Sequence, residues 1–399
     1  NSSNSFSDDW NGPYMGFEET QLVVLGHELI EMAGFPKGLH YERWLRKDGQ
    51  GEKKLDLYGT KLPPDVGAIQ TWNSAMPVNW HPSSWIGDRV VDFFSQQKGD
   101  KPFCLWASFS DPHMPFDCPE PWSRLHHPDD VDLPPFRTRE LEKRPWWHQA
   151  YVEDRSIDPE LDVAIYNHMQ SLNRLPKRNG RARNYNDNEF QLRHTIANYY
   201  GMISLIDHNI GRIMIALEKQ GLAENTIIIF TSDHGDWLGD HGMMLKGPMF
   251  YEGLLRVSMI LKGPGIPAGQ VSEEPVANTD LASSVLDWGG ISPAYPMHGK
   301  SLKSLIEKRS TRDFAYGEWD LNPDHWGLDL KLRVVRTSRY KLTLEKNSGA
   351  GELYDLQEDP YEITNIFGQA KPIRKELEDM IRSRPEDELS KPLIPSGLH

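Results

Sequence analysis

Phe230-Thr-Ser-Asp-His-Gly-Asp-Trp-Leu-Gly-Asp-His-Gly-Met-Met-Leu-Lys246 packs carboxylates, imidazoles and an ammonium into one short stretch. Asp233 offers a hard oxygen ligand and His234 a borderline nitrogen, so the pair points to a divalent metal, and not on its own to an all-oxygen calcium cage. The competing reading is structural: Asp233, Asp236 and Asp240 cap turns while His234 packs against Trp237. The run Asn225-Thr-Ile-Ile-Ile-Phe230 just before it has the continuous apolar pattern of a strand buried on both faces. Asp233 and His234 then fall just past its carboxyl end, where open α/β sheets bind ligands. Together these residues read as half of an active site.

Other elements must present this turn. Asn186 and Glu189 have capping-box spacing, and Phe190, Ile196, Tyr199, Ile203, Ile206, Ile210, Ile213 and Leu217 mark one face of a long helix ending at Gly221, which feeds the strand. Upstream, a helix from Pro82 through Ile86, Val90, Val91 and Phe94 leads through the Lys98-Gly-Asp-Lys-Pro turn to a strand over Phe103 to Phe109. His113 follows that strand's end. Parallel neighbours put such ends on one sheet edge, so His113 is expected to approach Asp233 and His234 across 120 residues. In isolation it reads as a loop histidine bonded to backbone. His241 is expected to support the acidic loop, and His208 to lie on a helix face.

Residues 1 to about 75 are turn-rich, with an amphipathic segment around Glu18 to Ala33, and residues 117 to about 186 form a long insertion with little periodicity. After the acidic loop, Val257 to Leu261 continues the sheet and Thr279 to Trp288 forms a helix. Arg333 to Leu344 reads as β structure, followed by a Leu353-Tyr-Asp-Leu turn and a charged helix near Arg374 to Ser383. Two domains are expected, 1–305 and 306–399. Glu318-Trp319-Asp320 and Trp237 suit a sugar or aryl pocket, with core tryptophan and surface acids at least as good a reading.

The acidic stretch continues through Gly247-Pro-Met-Phe-Tyr251-Glu252 to Leu255-Arg-Val-Ser-Met-Ile260. In this form it resembles the sulfatases of the alkaline-phosphatase superfamily. Lys101-Pro-Phe-Cys-Leu-Trp-Ala-Ser-Phe-Ser-Asp-Pro-His113-Met-Pro-Phe116, Arg333 to Leu342 and Gly351-Glu-Leu-Tyr-Asp-Leu-Gln-Glu-Asp-Pro360 agree with the same family, so the resemblance spans nearly the whole chain. It implies an α/β fold, with a largely parallel mixed sheet flanked by helices and a smaller C-terminal α+β subdomain. It also implies that Asp233 and His234 bind one divalent metal, calcium first, with manganese and zinc as alternatives. Lys246, 13 residues beyond Asp233, would contact the sulfate, and His113 would bind it or protonate the leaving alcohol. The implied substrate is a sulfate-ester small molecule or a sulfated sugar.

One departure is large. The family carries an amino-terminal Cys-x-Pro-x-Arg whose cysteine becomes formylglycine, the nucleophile, and an Asp-Asp pair completing the metal site. Cys104 is followed by Leu105-Trp106, Cys118 by Pro119-Glu120, and Ser383-Arg-Pro-Glu by Asp387, so no cysteine or serine version is encoded. Asp8-Asp9 follows a Ser/Asn-rich stretch and reads as a surface turn. The start, Asn1-Ser-Ser-Asn-Ser, has no initiator Met or signal-peptide pattern, so a preceding segment is expected to hold the nucleophile. Without it the chain is expected to contribute binding and charge stabilisation only. The rival functions are phosphonate monoester or phosphodiester hydrolysis and non-catalytic binding of sulfated carbohydrate.

Composition agrees with a large globular hydrolase. At 399 residues, 38% hydrophobic and with 13 Trp, the chain can bury a sizeable core. Its net charge of −14 argues against a nucleic-acid surface. No apolar run reaches the ~18 residues of a membrane span, and no targeting signal marks a compartment. Cys104 reads as a buried small hydrophobe and Cys118 as a loop residue, with a disulfide between them left open. Oligomeric state is not legible.

Overall fold

A computed structural model describes residues 10–23, 40–68, 70–97, 99, 101–152, 188–321 and 329–384. These fall into two compact units, residues 10–133 with 188–226, and residues 134–152 with 227–384.

The first unit contains helices α1 (His40–Arg46) and α2 (Gly51–Gly59), strands β1 (Lys61–Leu62) and β2 (Thr71–Ser74), helix α3 (Pro82–Gln96) and strand β3 (Phe116–Pro119). Helix α4 (Trp146–Val152) belongs to the second unit, and the long helix α5 (Glu189–Lys219) to the first. β1 pairs antiparallel with β2, and β2 parallel with β3, Thr71 lying opposite Phe116. Helix α3 starts where Pro82 sets the first turn and the His81 imidazole accepts from the Ser83 amide. Trp85, Ile86, Val90 and Phe94 form its buried stripe.

Three sequence readings are corrected in this unit. The cap of α5 is Asn188, whose side-chain oxygen accepts from the amides of Phe190 and Gln191; Asn186 lies outside the described residues. The buried face of α5 keeps Ile196, Ile206 and Leu217 of the expected stripe but is wider and partly rotated, since Phe190 is 57% and Ile203 43% exposed while Asn198, Gly201 and Asn209 are buried. Asn198 earns its place by donating to the carbonyls of Trp72 (2.9 Å) and Phe116 (3.1 Å), tying α5 to β2 and β3. At Gly201 a Cβ would sit 2.6 Å from the Trp122 carbonyl oxygen and 2.8 Å from Cys118 Sγ, so only glycine allows this approach. Finally, Phe103 to Phe109 pairs with no described strand, and Trp106 is 75% exposed. Its apolar pattern specifies an environment that the described residues do not supply. The parallel partner of β2 is instead the short β3, beyond His113.

The cysteines also differ from expectation. Both are free; Cys104 is exposed, while Cys118 is buried within β3, where burial drives its thiol pKa upward.

In the second unit, β4 (Ile228–Thr231) precedes the acidic loop, followed by α6 (Glu252–Leu255), β5 (Met259–Lys262), α7 (Thr279–Trp288) and α8 (Leu302–Ile306). β4 pairs antiparallel with β5, Ile229 opposite Leu261, so parallel pairing among the described strands is confined to β2 and β3. Nor is β4 buried on both faces, for Phe230 is 40% exposed.

Strands β6 (Phe314–Leu321), β7 (Leu330–Thr337), β8 (Tyr340–Glu345) and β9 (Gly351–Asp355) then form an antiparallel meander, and helix α9 (Lys371–Arg382) packs Leu377 against Val335, Leu342 and Leu353. On the sheet's other face Leu330, Leu332 and Val334 meet Trp147 and Phe250. That face also holds charge. Lys341, 1% exposed, pairs with Glu252 and Glu362, and Glu352 accepts from His148 Nε2 at 3.0 Å and Tyr354 Oη at 2.7 Å.

This network makes the unit acid-sensitive. Burial alone would raise the Glu352 carboxyl, but the charge and hydrogen bond of His148, the Tyr354 hydroxyl and Arg144 bring it down from 4.5 to about 2. The stabilisation is therefore present above pH 4.5 and lost as pH falls toward 2. Glu352→Gln is expected to remove about 3 kcal/mol at neutral pH and to flatten the acid limb of a pH-dependent unfolding series. An unchanged acid limb would contradict this reading.

Candidate active site

The turn after β4 is held by a residue that the sequence reading passed over. Asn278, just before α7, donates through Nδ2 to the carbonyls of Ser232 (2.8 Å) and Asp233 (3.3 Å) and accepts from Thr231 Oγ1 at 3.3 Å. Its only sequence signal is its place before a helix, where asparagine ordinarily serves as a cap; here the side chain makes no cap bond.

Within that turn Asp233, His234 and Lys246 come together. Asp233 Oδ1 accepts from the His234 amide at 2.8 Å, and its carboxylate remains 83% exposed. His234 Nδ1 donates to the Gly235 carbonyl at 2.7 Å, which leaves the lone pair on Nε2, and Lys246 Nζ lies 2.9 Å from that atom. Burial would raise the Asp233 carboxyl, but His234, the amide hydrogen bond, Lys246 and Ser232 hold it below its ordinary value. The arrangement keeps an anion, a lone pair and a cation within one small, accessible turn.

The loop reaching from His234 to Lys246 is pinned from beneath. Half-buried Asp236 accepts through Oδ1 from the amides of Leu238 and Leu245, both at 2.9 Å, and desolvation of its carboxyl raises its pKa to about 7. Trp237, 1% exposed, donates from its amide to Leu245 O and from its indole to Met249 O. The turn-capping alternative thus holds for Asp236, whereas Trp237 is core and not part of a sugar pocket. Asp236→Ala would orphan two amides and is expected to lower stability by about 1–3 kcal/mol. Asp236→Asn, which keeps an acceptor oxygen, should recover most of the thermal midpoint; equal losses in both variants would show that the two amide bonds are not what matters.

His241 supports the loop from within. It is buried, stacks on Tyr251 with ring centroids 3.6 Å apart, and accepts at Nδ1 from Arg144 at 3.3 Å. Burial and the Arg144 charge lower its pKa to about 3, so the ring is neutral at ordinary pH. Glu318 and Asp320 are both paired with Arg333, and Trp319 packs on Phe250, so these are structural groups. His208 lies on α5 against Trp122.

His113 belongs to the first unit. Its Nδ1 bonds the Met114 carbonyl at 2.8 Å, the backbone contact expected of a loop histidine. Its turn is anchored through buried Asp111, which accepts from Ser83 Oγ at 2.5 Å at the start of α3.

Asp233 Oδ2 and His234 Nε2 lie 3.5 Å apart, close to the roughly 3 Å between adjacent ligands of a cation with ~2.0–2.4 Å bonds. They fit as two ligands of a divalent metal, with the Lys246 ammonium standing beside the same nitrogen. Among the described residues no group of three or more His, Cys, Asp or Glu completes such a set.

The α/β frame with its mixed sheet and separate C-terminal sheet is of the alkaline-phosphatase-like class. It matches the crystal structure of the phosphonate monoester hydrolase of Agrobacterium radiobacter with a TM-score of 0.67 and 26% identity, over 88% of this chain and 69% of that one. Residues 73–291 match the sulfatase family model, and residues 239–387 the model for the C-terminal part of N-sulphoglucosamine sulphohydrolase. The chain belongs to the sulfatase family. It is 30% identical over 351 residues to an arylsulfatase of Clostridium perfringens and 25% identical over 407 to an N-acetylglucosamine-6-O-sulfatase of Bacteroides thetaiotaomicron. These alignments cover 86% and 91% of this chain but 64% and 69% of the relatives.

Proposed function

We propose that this chain forms the metal- and oxyanion-binding part of a sulfuric ester hydrolase. The observation that carries the reading is the convergence of Asp233, His234 and Lys246, in a chain of this family, on one exposed turn. A sulfate ester gathers negative charge on its oxygens as the S–O bond breaks, and fixed cations at that point favour the transition state over the ground state. Lys246 supplies one such charge directly. A divalent cation held by Asp233 and His234, calcium first and manganese or zinc otherwise, would supply Lewis-acid charge at the same oxygens. His113 is assigned proton donation to the leaving alcohol. The nucleophile, formylglycine in this family, has no precursor motif within the 399 residues. By itself, then, the chain should not turn over an aryl sulfate. Similarity to an arylsulfatase and an N-acetylglucosamine-6-O-sulfatase favours sulfate on a small aryl group or an amino sugar as the substrate class.

The phosphonate monoester hydrolase neighbour favours a second reading, since phosphonate and sulfate monoesters place similar charge on similar geometry. Turnover of matched aryl sulfate and aryl phosphonate by the full-length polypeptide separates the two. The sulfate reading expects kcat/KM for the sulfate to lead by at least about tenfold; the opposite order would replace it.

A further inference from the structure

Four successive carbonyls of the turn after β4 are engaged by side chains. Ser232 O and Asp233 O accept from Asn278 Nδ2, His234 O accepts from Ser232 Oγ at 2.8 Å, and Gly235 O accepts from His234 Nδ1 at 2.7 Å. The last two bonds lie within the turn and set its curl. Its two halves are tied separately to other elements. The Gly235 amide donates to Leu254 O in α6 at 2.8 Å, while Ser232 and Asp233 are held by Asn278 at the start of α7.

Asn278 projects from a fixed support. Behind it Asp280, 4% exposed, accepts from the amides of Ala277 at 3.0 Å and Lys300 at 2.7 Å and pairs with Arg312 at 3.4 Å. Gly299 passes so close that a Cβ there would lie 1.9 Å from the Thr279 carbonyl oxygen, so only glycine fits against this helix start. An asparagine before a helix ordinarily turns its side chain back to cap the first amides. Asn278 makes no such bond and reaches to the turn instead. Those bonds lie at the surface, where water can replace them, so they contribute little to stability.

What they set is geometry. Ser232 O and Asp233 O belong to the two peptide units that flank the Asp233 side chain, and Asn278 Nδ2 holds both. With Oδ1 accepting from the His234 amide at 2.8 Å, the direction of the carboxylate is fixed, and with it the 3.5 Å between Oδ2 and His234 Nε2. We propose that Asn278, backed by Asp280, is a positioning residue for the cation site, holding Asp233 at ligand spacing from His234 before a cation arrives. The inference rests on the metal-binding reading of Asp233 and His234 and adds to it a residue from the start of α7. Ligands ordered in advance lose less freedom on binding, and removing the partners that orient metal ligands ordinarily weakens affinity about 10–100-fold.

The test titrates calcium and manganese separately, by calorimetry, into the metal-free full-length polypeptide. The natural sequence is compared with Asn278→Ala, Asn278→Leu and Asp233→Asn. Both Asn278 variants are expected to bind the cation about 10–100-fold more weakly, with the metal-free thermal midpoint moved by less than about 3 °C. Leucine keeps the bulk of asparagine, so it serves should the alanine variant fail to fold, and agreement of the two excludes a packing effect. Affinity unchanged in a folded Asn278 variant, while Asp233→Asn weakens it, would overturn the positioning role and leave the metal reading in place. Weakened affinity together with a metal-free midpoint lowered by more than about 10 °C would assign Asn278 to the fold and not to the site. No cation binding by the natural sequence would overturn the metal reading and this inference with it.

Discussion

Replacing Lys246 with alanine is expected to lower kcat/KM for an aryl sulfate by about 10²–10³-fold in the full-length polypeptide, equivalent to roughly 3–4 kcal/mol of lost transition-state stabilisation. The side chain is exposed, yet its ammonium is held 2.9 Å from His234 Nε2 and not left to sample solvent. That placement distinguishes it from an ordinary surface lysine, whose ion pairs contribute about 0–1 kcal/mol. Because the charge acts where the sulfuryl oxygens gain charge, most of the loss should fall on kcat. Thermal stability should hardly move, since no buried contact is removed. A loss below about threefold would place Lys246 outside the reacting centre, where only screened surface electrostatics remain.

The second large effect is on stability. Trp237→Ala is expected to destabilise the protein by about 3–5 kcal/mol, read as a shift in denaturant midpoint at unchanged slope. Trp237 is fully enclosed by Tyr151, Met243, Met249, Tyr251 and Leu254, and its indole donates to the Met249 carbonyl. Gly247, next to Lys246, runs against it so closely that a Cβ there would lie 2.8 Å from the indole ring. The cavity left by alanine would therefore open beneath the loop that presents the lysine. Trp237→Phe, which keeps most of the volume and loses the hydrogen bond, should cost markedly less. A loss under about 1 kcal/mol for alanine would mean that the loop collapses onto the cavity at little expense.

Local signals in the chain were legible where one residue's chemistry sets the backbone. Pro82 after His81 starts α3, and the apolar spacing of Thr279 to Trp288 matches α7 residue for residue. The mixed α/β frame followed from the family resemblance, and the C-terminal sheet from the β pattern of Arg333 to Leu344. Signals failed where tertiary partners decide. The apolar run Phe103 to Phe109 has the composition of a buried strand, but strand pairing depends on what lies alongside, and the pairing falls to Phe116–Pro119. Apolar spacing finds Ile196, Ile206 and Leu217 on the buried face of α5 but not Asn198 and Asn209, which are buried to satisfy backbone partners and which a hydrophobic count scores as surface. At the turn, the ligand types in Asp233 and His234 were evident from their side chains. Asn278, 45 residues beyond Asp233, was not, since nothing in its neighbourhood shows that its amide reaches back to that turn.

The central claim is that Asp233, His234 and Lys246 build one charged site for a sulfate ester. Its most direct test is aryl sulfate turnover by the full-length polypeptide after chelation and readdition of a divalent cation, with Asp233→Asn alongside. The account predicts that chelation abolishes turnover, that calcium, manganese or zinc restores it in the natural sequence, and that Asp233→Asn needs at least about tenfold more cation for the same recovery. Turnover that survives chelation and is indifferent to Asp233→Asn would contradict it.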